Sequence, residues 1–118
     1  MDFRTNIRKM DSITILDCSG TISMGKNIAE NSAWMFDQTF KNLLRKGIKN
    51  LVVNLADVNY IDSTGVGYLV NAQRMFINKG GRLKLIHARK NIHDLLQITK
   101  LFSVLDTYDD EAAAVASF

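Results

Sequence analysis

The stretch of sequence that decides the fold lies just past the midpoint of the chain and reads Val58-Asn59-Tyr60-Ile61-Asp62-Ser63-Thr64-Gly65-Val66-Gly67. We call it the central stretch. A very apolar run at residues 51–55 precedes it, and an amphipathic segment at residues 66–77 follows it. This arrangement predicts a strand, a short loop, and a helix that begins near Asp62. Because a hydroxyl at a helix start can accept from an unpaired backbone N–H, we expect Ser63 or Thr64 to cap this helix. A hydroxyl at the positive end of a helix is also a favourable site for a phosphate.

Composition and charge indicate an ordinary globular domain. The 118 residues include 47% apolar and 23% charged side chains, which is typical of a soluble protein, and we expect residues 1–118 to form a single domain. No targeting segment or membrane-spanning run is visible, so we expect a cytoplasmic protein without membrane insertion. The net charge of +3 comes from scattered basic residues rather than from a basic tract, which argues against direct nucleic-acid binding. The single cysteine, Cys18, excludes an internal disulfide and is expected to be a buried, inert thiol.

The periodicity along the chain predicts alternating strands and helices. Two strand patterns, at residues 3–9 and 13–18, flank a polar turn and predict an N-terminal hairpin whose second strand ends near Gly20. The predicted element order is β-β-α-β-α-β-α-β-α, in the α/β class. We expect a mixed, mainly parallel sheet of four to five strands, with antiparallel pairing in the hairpin and about four helices.

Local signals indicate where several elements begin and end. Gly47 and Gly80 are expected to stop the first and second helices. Asn91 is expected to cap the third helix, and the apolar residues 104–105 to form the last strand. The acidic run Asp109-Asp110-Glu111 is typical of a helix start and predicts a final short helix.

The sequence carries no pattern typical of a catalytic, cofactor or metal site. Gly65 and Gly67 lack the third glycine of a dinucleotide-binding turn, and no P-loop lysine follows them. Close approach of the helix start to another backbone explains these glycines better. Ser63 does not lie in a nucleophile elbow, and His87 and His93 lack a spacing that suits a catalytic triad or a metal ion. We therefore expect a protein that is not an enzyme and needs no cofactor or metal.

Residues 54–67, which contain most of the central stretch, closely resemble the signature of the STAS domain, and in particular of the small bacterial anti-sigma factor antagonists. The resemblance continues through the glycine pair and strand at residues 80–85, through residues 95–102, and into the acidic and alanine-rich residues 109–113. It covers nearly the whole chain, and the motifs agree in order and spacing.

The resemblance implies a partner-switching regulator. In that family the unphosphorylated antagonist binds an anti-sigma factor that is also a serine kinase, and this binding frees the sigma factor. Phosphorylation breaks the complex, and a serine phosphatase restores it. The family's phosphoacceptor corresponds to Ser63, with Thr64 as a secondary acceptor. Asp62, Gly65 and Val66 correspond to the surface that meets the kinase.

One position departs from the family pattern. Many relatives carry an acidic residue after the second strand, where this chain has Ser23. Because this loop is expected to border the central stretch, Ser23 is a further candidate for partner contact, and partner choice is expected to differ from that of relatives with the acid. Two alternatives stay open: a STAS-fold scaffold or small-ligand sensor without a phosphorylation switch, and a homodimer.

Overall fold

The computed structural model describes residues 2–25, 30–100 and 104–118. Within these ranges the chain forms a five-stranded mixed sheet with four helices in the predicted order. The elements are β1 (Arg4–Met10), β2 (Ile13–Ile22), α1 (Ser32–Arg45), β3 (Asn50–Ile61), α2 (Ser63–Asn78), β4 (Arg82–Ile86), α3 (Lys90–Ile98), β5 (Asp106–Tyr108) and α4 (Glu111–Ala116). The predicted fold class and the N-terminal hairpin are confirmed. Parts of two predicted features lie outside the described residues: residues 26–27 of the loop predicted over residues 21–27, and residues 101–102 of the family-like segment.

The strands lie side by side in the order in which they occur in the chain, from β1 to β5. β1 pairs antiparallel with β2, and the later neighbouring pairs are parallel. The carboxyl ends of β2, β3 and β4 therefore meet at one edge of the sheet. Since α2 begins directly after β3, the central stretch lies at the edge where open α/β sheets usually bind their ligands and partners.

Alternating side chains divide the sheet into two apolar layers. The larger layer packs against α1, α2 and α3, and its fully buried side chains include Leu16, Phe36, Phe40, Val53, Leu69 and Phe76. The smaller layer lies on the opposite face and joins Ile13, Ile15, Val52 and Ile86 to Ala114 of α4. Full burial of one large apolar side chain contributes about 1.5–3 kcal/mol, so the larger layer supplies most of the stability. Cys18 lies in this layer, and burial raises the pKa of its thiol, as expected for an inert cysteine.

The pairing of β2 with β3 extends further than the sequence predicts. β2 continues past Gly20 to Ile22, which pairs with Ile61, so the predicted short loop before α2 is absent. Two shifts in register between the strands accommodate the extra residues of β3. At one of them Gly20 has a φ of +92°, and an added Cβ would lie 2.2 Å from the carbonyl oxygen of Asp2. Glycine is required there because of both the backbone angle and the lack of space.

The last strand lies further along the chain than predicted. Residues 104–105 form a turn and a bend, and β5 is Asp106–Tyr108 instead. The apolar side chain of Leu105 is buried in the larger layer, although this residue does not pair in the sheet. The helix ends are predicted better, since Gly47 and Gly80 directly follow the C-caps of α1 and α2 with φ near +84° and +83°.

Short helix α4 is held to the sheet by a basic side chain at each end. Near its start, the Arg8 guanidinium bridges Asp17 of β2 and Glu111 of α4, with nitrogen–oxygen distances of 2.6 Å to each carboxylate. At its end, Lys84 donates to the carbonyl of Ser117 at 3.0 Å and to its hydroxyl at 2.6 Å. A helix of this length is not stable alone, so these contacts and Ala114 determine its position.

Candidate functional site

The start of α2 is capped by Asp62. Its Oδ1 accepts a hydrogen bond from the N–H of Gly65 at 2.9 Å, and its carbonyl accepts from the N–H of Val66 at 3.1 Å. The expectation that Ser63 or Thr64 caps the helix is therefore wrong. A carboxylate at the N-cap accepts a charge-assisted bond and also interacts favourably with the helix dipole, so Asp62 outcompetes the two hydroxyls that follow it.

The two hydroxyl residues occupy the first two positions of α2. Ser63 is exposed and Thr64 is half-buried, and neither side chain makes a hydrogen bond within the described part of the chain. Both hydroxyls thus lie at the positive end of the helix, and neither is bonded to another described residue. Of the two, Ser63 is the more accessible to another protein.

The next two residues of the central stretch face inward. Val66 is 3% exposed, and Gly65 is buried against the ends of β2 and β3. An added Cβ at Gly65 would lie 2.7 Å from Cγ1 of Ile61 and 2.9 Å from Cγ2 of Ile22. The predicted close approach is therefore real at Gly65, but it is to side chains rather than to backbone. At Gly67 the prediction is wrong, since no such atom lies within 4 Å of an added Cβ.

The loop after β2, residues 23–25, borders the central stretch as expected. The second carboxylate oxygen of Asp62 accepts from the N–H of Met24 at 2.8 Å. Ser23 is turned toward α1: its N–H donates to the Ser32 hydroxyl at 2.8 Å, and its carbonyl accepts from the N–H of Ala33 at 3.0 Å. The side chain displayed by this loop is that of Met24, which is 65% exposed. The sequence did not single out Met24, because no local signal marks an isolated methionine in a loop.

Ser63 also borders an apolar groove of about 280 Å³ between α2 and α3. Its lining residues are Ser63, Val66, Gly67, Val70, Leu95 and Thr99. The sequence predicts the helices that form this groove but not their juxtaposition. Ser63 therefore lines a mostly apolar groove and directly follows Asp62, whose carboxylate is bonded to the backbone of the exposed Met24.

Helix α3 is held beside the central stretch by side chains from its first turn and N-cap. The Asn91 amide donates to the carbonyl of Asn59 at 3.0 Å, and Arg89 Nε donates to the carbonyl of Ala56 at 2.9 Å. The predicted role of Asn91 as an N-cap is wrong, because the N-cap is Arg89 and makes no side-chain capping bond. Asn91 instead satisfies a β3 carbonyl, which fixes one wall of the groove.

The two histidines come closer together than their sequence spacing indicates. His87, His93 and Asp109 line a cavity of about 160 Å³ between β4, α3 and the end of β5. Nevertheless, the described residues contain no group of three potential ligands arranged to hold a metal ion. Among the described helices, none is both long and apolar enough to cross a membrane.

Comparison with known proteins identifies the family. A family model of the STAS domain matches residues 4–114. The chain belongs to the STAS domain family. An anti-sigma F factor antagonist of Paenibacillus polymyxa is 27% identical over 71 residues, which are 60% of this chain and 61% of that relative. The match thus spans less than two thirds of that relative's length. The resemblance of this STAS domain to anti-sigma factor antagonists, inferred from its sequence, is confirmed.

Solved structures show the same fold. An anti-sigma factor antagonist from Mycobacterium paratuberculosis superimposes with a TM-score of 0.81 and 18% identity, covering 98% of this chain and 93% of the other. The phosphorylated form of SpoIIAA, a Bacillus cell fate determinant, gives a TM-score of 0.69 and 14% identity, covering 99% and 100%. At these identities the likeness establishes the arrangement of the sheet and helices.

Proposed function

We propose that this STAS domain is an anti-sigma factor antagonist controlled by phosphorylation of Ser63. In its unphosphorylated form it binds an anti-sigma factor that has serine kinase activity, and this frees the sigma factor. The observation that carries the proposal is the position of Ser63 at the first residue of α2, exposed, beside an apolar groove, and without a hydrogen bond to its hydroxyl among the described residues. The family membership and the relative that acts on an anti-sigma factor support it.

Phosphorylation of Ser63 would change the surface more than the fold. A phosphoserine adds about −1.5 to −2 charges at neutral pH. The adjacent Asp62 repels this charge, whereas the N-terminus of α2 attracts it. Because Asp62 already caps the helix, a phosphate on Ser63 displaces no hydrogen bond inside the domain. The domain can therefore carry the modification, and SpoIIAA, which has the same fold, has been solved in a phosphorylated form.

A partner packed over Ser63 could not tolerate the same change. Its surface would have to exclude water from a dianion and accommodate three oxygens where a small hydroxyl had been. A loss of about 3 kcal/mol at the interface would weaken binding more than a hundredfold. The switch is thus a local clash and desolvation cost, and a serine phosphatase that removes the phosphate reverses it.

The partner surface comprises the residues around Ser63 at the carboxyl edge of the sheet. Asp62, Ser63 and Thr64 form its centre, Val66 lines the groove, and Gly65 lets the helix start pack closely on the strands. Ser23 belongs to this surface as part of the loop after β2, whose backbone is oriented by the hydrogen bonds of Ser23 to Ser32 and Ala33. This regulator acts on proteins in the cytoplasm and does not bind nucleic acid itself.

Site mapping with the partner kinase tests the proposal. The wild type, Ser63→Ala and Thr64→Ala are incubated with ATP and an anti-sigma factor kinase from the same cells, and phosphate is located by mass spectrometry. We expect wild type and Thr64→Ala to incorporate phosphate at residue 63, and Ser63→Ala to bind the kinase but incorporate none. Undiminished incorporation into Ser63→Ala would overturn the assignment.

A small-ligand sensor without a phosphorylation switch is the second candidate. The observation that favours it is the groove between α2 and α3, whose walls at Val66, Val70 and Leu95 could hold an apolar group. The two functions differ in the state of the protein in its native cells. Phosphate on Ser63 in any growth condition supports the switch, whereas its absence in all conditions supports the sensor.

A further inference from the structure

We propose that Asp62 is a positioning residue that holds Met24 beside Ser63, and that Met24 is the apolar anchor by which the anti-sigma factor recognises this domain. The inference rests on the proposed function and identifies how its surface is assembled. It assigns roles to two residues: Asp62, at the centre of the partner surface, which holds a neighbouring loop in place, and Met24, which lies far from the central stretch in the sequence.

Both oxygens of the Asp62 carboxylate accept hydrogen bonds inside the domain. Oδ1 accepts from the N–H of Gly65 at 2.9 Å, and Oδ2 accepts from the N–H of Met24 at 2.8 Å. The N–H of Asp62 also donates to the carbonyl of Ile22 at 3.0 Å, which brings the end of β2 to the helix start. An acid with both oxygens bonded to backbone donors acts as a brace between two segments rather than as a free charge for a partner.

The backbone that leads into Met24 is restrained by hydrogen bonds. Its own N–H is bonded to Asp62, and the preceding Ser23 is bonded through its N–H and carbonyl to Ser32 and Ala33 of α1. The side chain nevertheless projects into solvent, with 65% of the residue exposed. A single exposed apolar residue is common and by itself means little. Here the exposed side chain lies on a backbone that hydrogen bonds hold in place, and one of these bonds goes to Asp62, the residue before the proposed phosphoacceptor.

The chemistry of methionine defines the partner surface that would fit it. An unbranched, polarizable thioether fills irregular apolar depressions and adapts to their shape. The partner is therefore a protein with a shallow apolar pocket for Met24, adjacent to a position that accepts the neutral Ser63 hydroxyl and not a phosphate. Since the backbone is already ordered, little loop entropy is lost on binding, which favours an anchor role.

The variant Asp62→Asn distinguishes the hydrogen bond that holds the Met24 loop from the hydrogen bond that caps α2. Asn is as good an N-cap as Asp, because its one oxygen can still accept from Gly65. Its amide nitrogen cannot accept from the N–H of Met24. Asp62→Asn should therefore keep α2 intact and release only the loop. Met10 provides a matched control for Met24, since it is 41% exposed on β1, outside the proposed surface.

The experiment measures binding of wild type, Met24→Ala, Asp62→Asn, the double variant and Met10→Ala to the same anti-sigma factor kinase by calorimetry. We expect Met24→Ala to weaken binding by about thirtyfold, as for an interface hot spot. Asp62→Asn should weaken it by about fivefold or more, and the double variant should be no weaker than Met24→Ala within about twofold. Met10→Ala should bind like wild type. Wild-type affinity of Met24→Ala would overturn the anchor role.

Amide hydrogen exchange of the free domain tests the brace without any partner. We expect the Met24 amide to exchange at least tenfold faster in Asp62→Asn, with the Gly65 amide unchanged. Equal Met24 exchange in both proteins would overturn the positioning role alone. If the wild type did not bind the kinase at all, the proposed function and the anchor role would both fall, and the exchange result would still decide what Asp62 does.

Discussion

The carboxylates of Asp17 and Asp62 each accept hydrogen bonds through both oxygens, yet they serve different regions. Asp17, on the face covered by α4, accepts from side chains: Arg8 at 2.6 and 2.8 Å, and Asn54 at 2.8 Å. Asp62, at the carboxyl edge, accepts from backbone N–H groups of the β2 loop and of α2. The first cluster ties together three strands and a helix. The second ties a loop to a helix start and leaves neighbouring side chains exposed.

The difference shows how one acidic residue can stabilise a fold and another can shape a binding surface. Around Asp17 the donors belong to side chains of neighbouring strands, so the charges of Arg8, Asp17 and Glu111 are paired within the domain. The Arg8 guanidinium lowers the pKa of Asp17 to about 2, with a further contribution from the Asn54 amide. Around Asp62 the donors belong to the backbone, so the side chains of Met24 and Ser63 stay available for contact.

The largest expected effect comes from the support below the binding surface. Gly65→Ala should lower the free energy of unfolding by about 2 kcal/mol, because the new methyl group would overlap Ile61 and Ile22. Gly67→Ala is the matched control on the same helix: its Cβ meets no atom within 4 Å, so it should raise stability by about 0.5–1 kcal/mol. Urea denaturation measures both changes. Similar effects at both positions would contradict the close packing inferred for Gly65.

A smaller effect is expected at the α4 face, and it should depend on pH. The folded-state pKa of Asp17 lies below its ordinary value of 3.8, so its ion pair stabilises the fold above about pH 4 and is lost as pH falls toward 2. After allowance for solvent screening, Asp17→Asn should cost about 1 kcal/mol at pH 7.

Chemical denaturation between pH 7 and pH 2 measures this difference. The gap between wild type and Asp17→Asn should narrow as pH falls from about 4 to about 2. Asp57→Asn removes an exposed carboxylate from β3 and serves as the control, with little effect at either pH. A gap that stays constant across this range would show that the ion pair with Arg8 does not stabilise the fold.

The smallest effect on stability should come from the exposed hydroxyl itself. Ser63→Glu adds a negative charge at the start of α2 and should change the free energy of unfolding by no more than about 0.5 kcal/mol. Binding to the anti-sigma factor kinase should nevertheless fall at least tenfold, because the charge lies where the partner packs. Ser12→Glu, in the exposed turn between β1 and β2, controls for added charge and should leave binding unchanged. If the Ser63→Glu variant were stable and bound the kinase normally, the carboxyl edge would not be the binding surface that distinguishes it from the stabilising cluster on the α4 face.

Much of the fold follows from local patterns because the forces involved are local. Glycines with positive φ stop α1 and α2 at the predicted places, and the acidic run near Asp110 does start α4. Predictions failed where a tertiary contact competed with a local signal. Asn91 bonds to a β3 carbonyl instead of capping α3, and Leu105 enters the core instead of pairing in the sheet.

In the candidate site, too, some features follow from local sequence and others depend on tertiary contacts. The sequence by itself determined that a hydroxyl would stand at the start of α2, because the change from an apolar run to a helical period fixes that boundary within the chain. Only the tertiary structure decided that Asp62 caps this helix and that Met24, 38 residues earlier, is bonded to the same carboxylate. The physical reason is that this contact depends on the register shifts between β2 and β3, which no local pattern in either strand encodes.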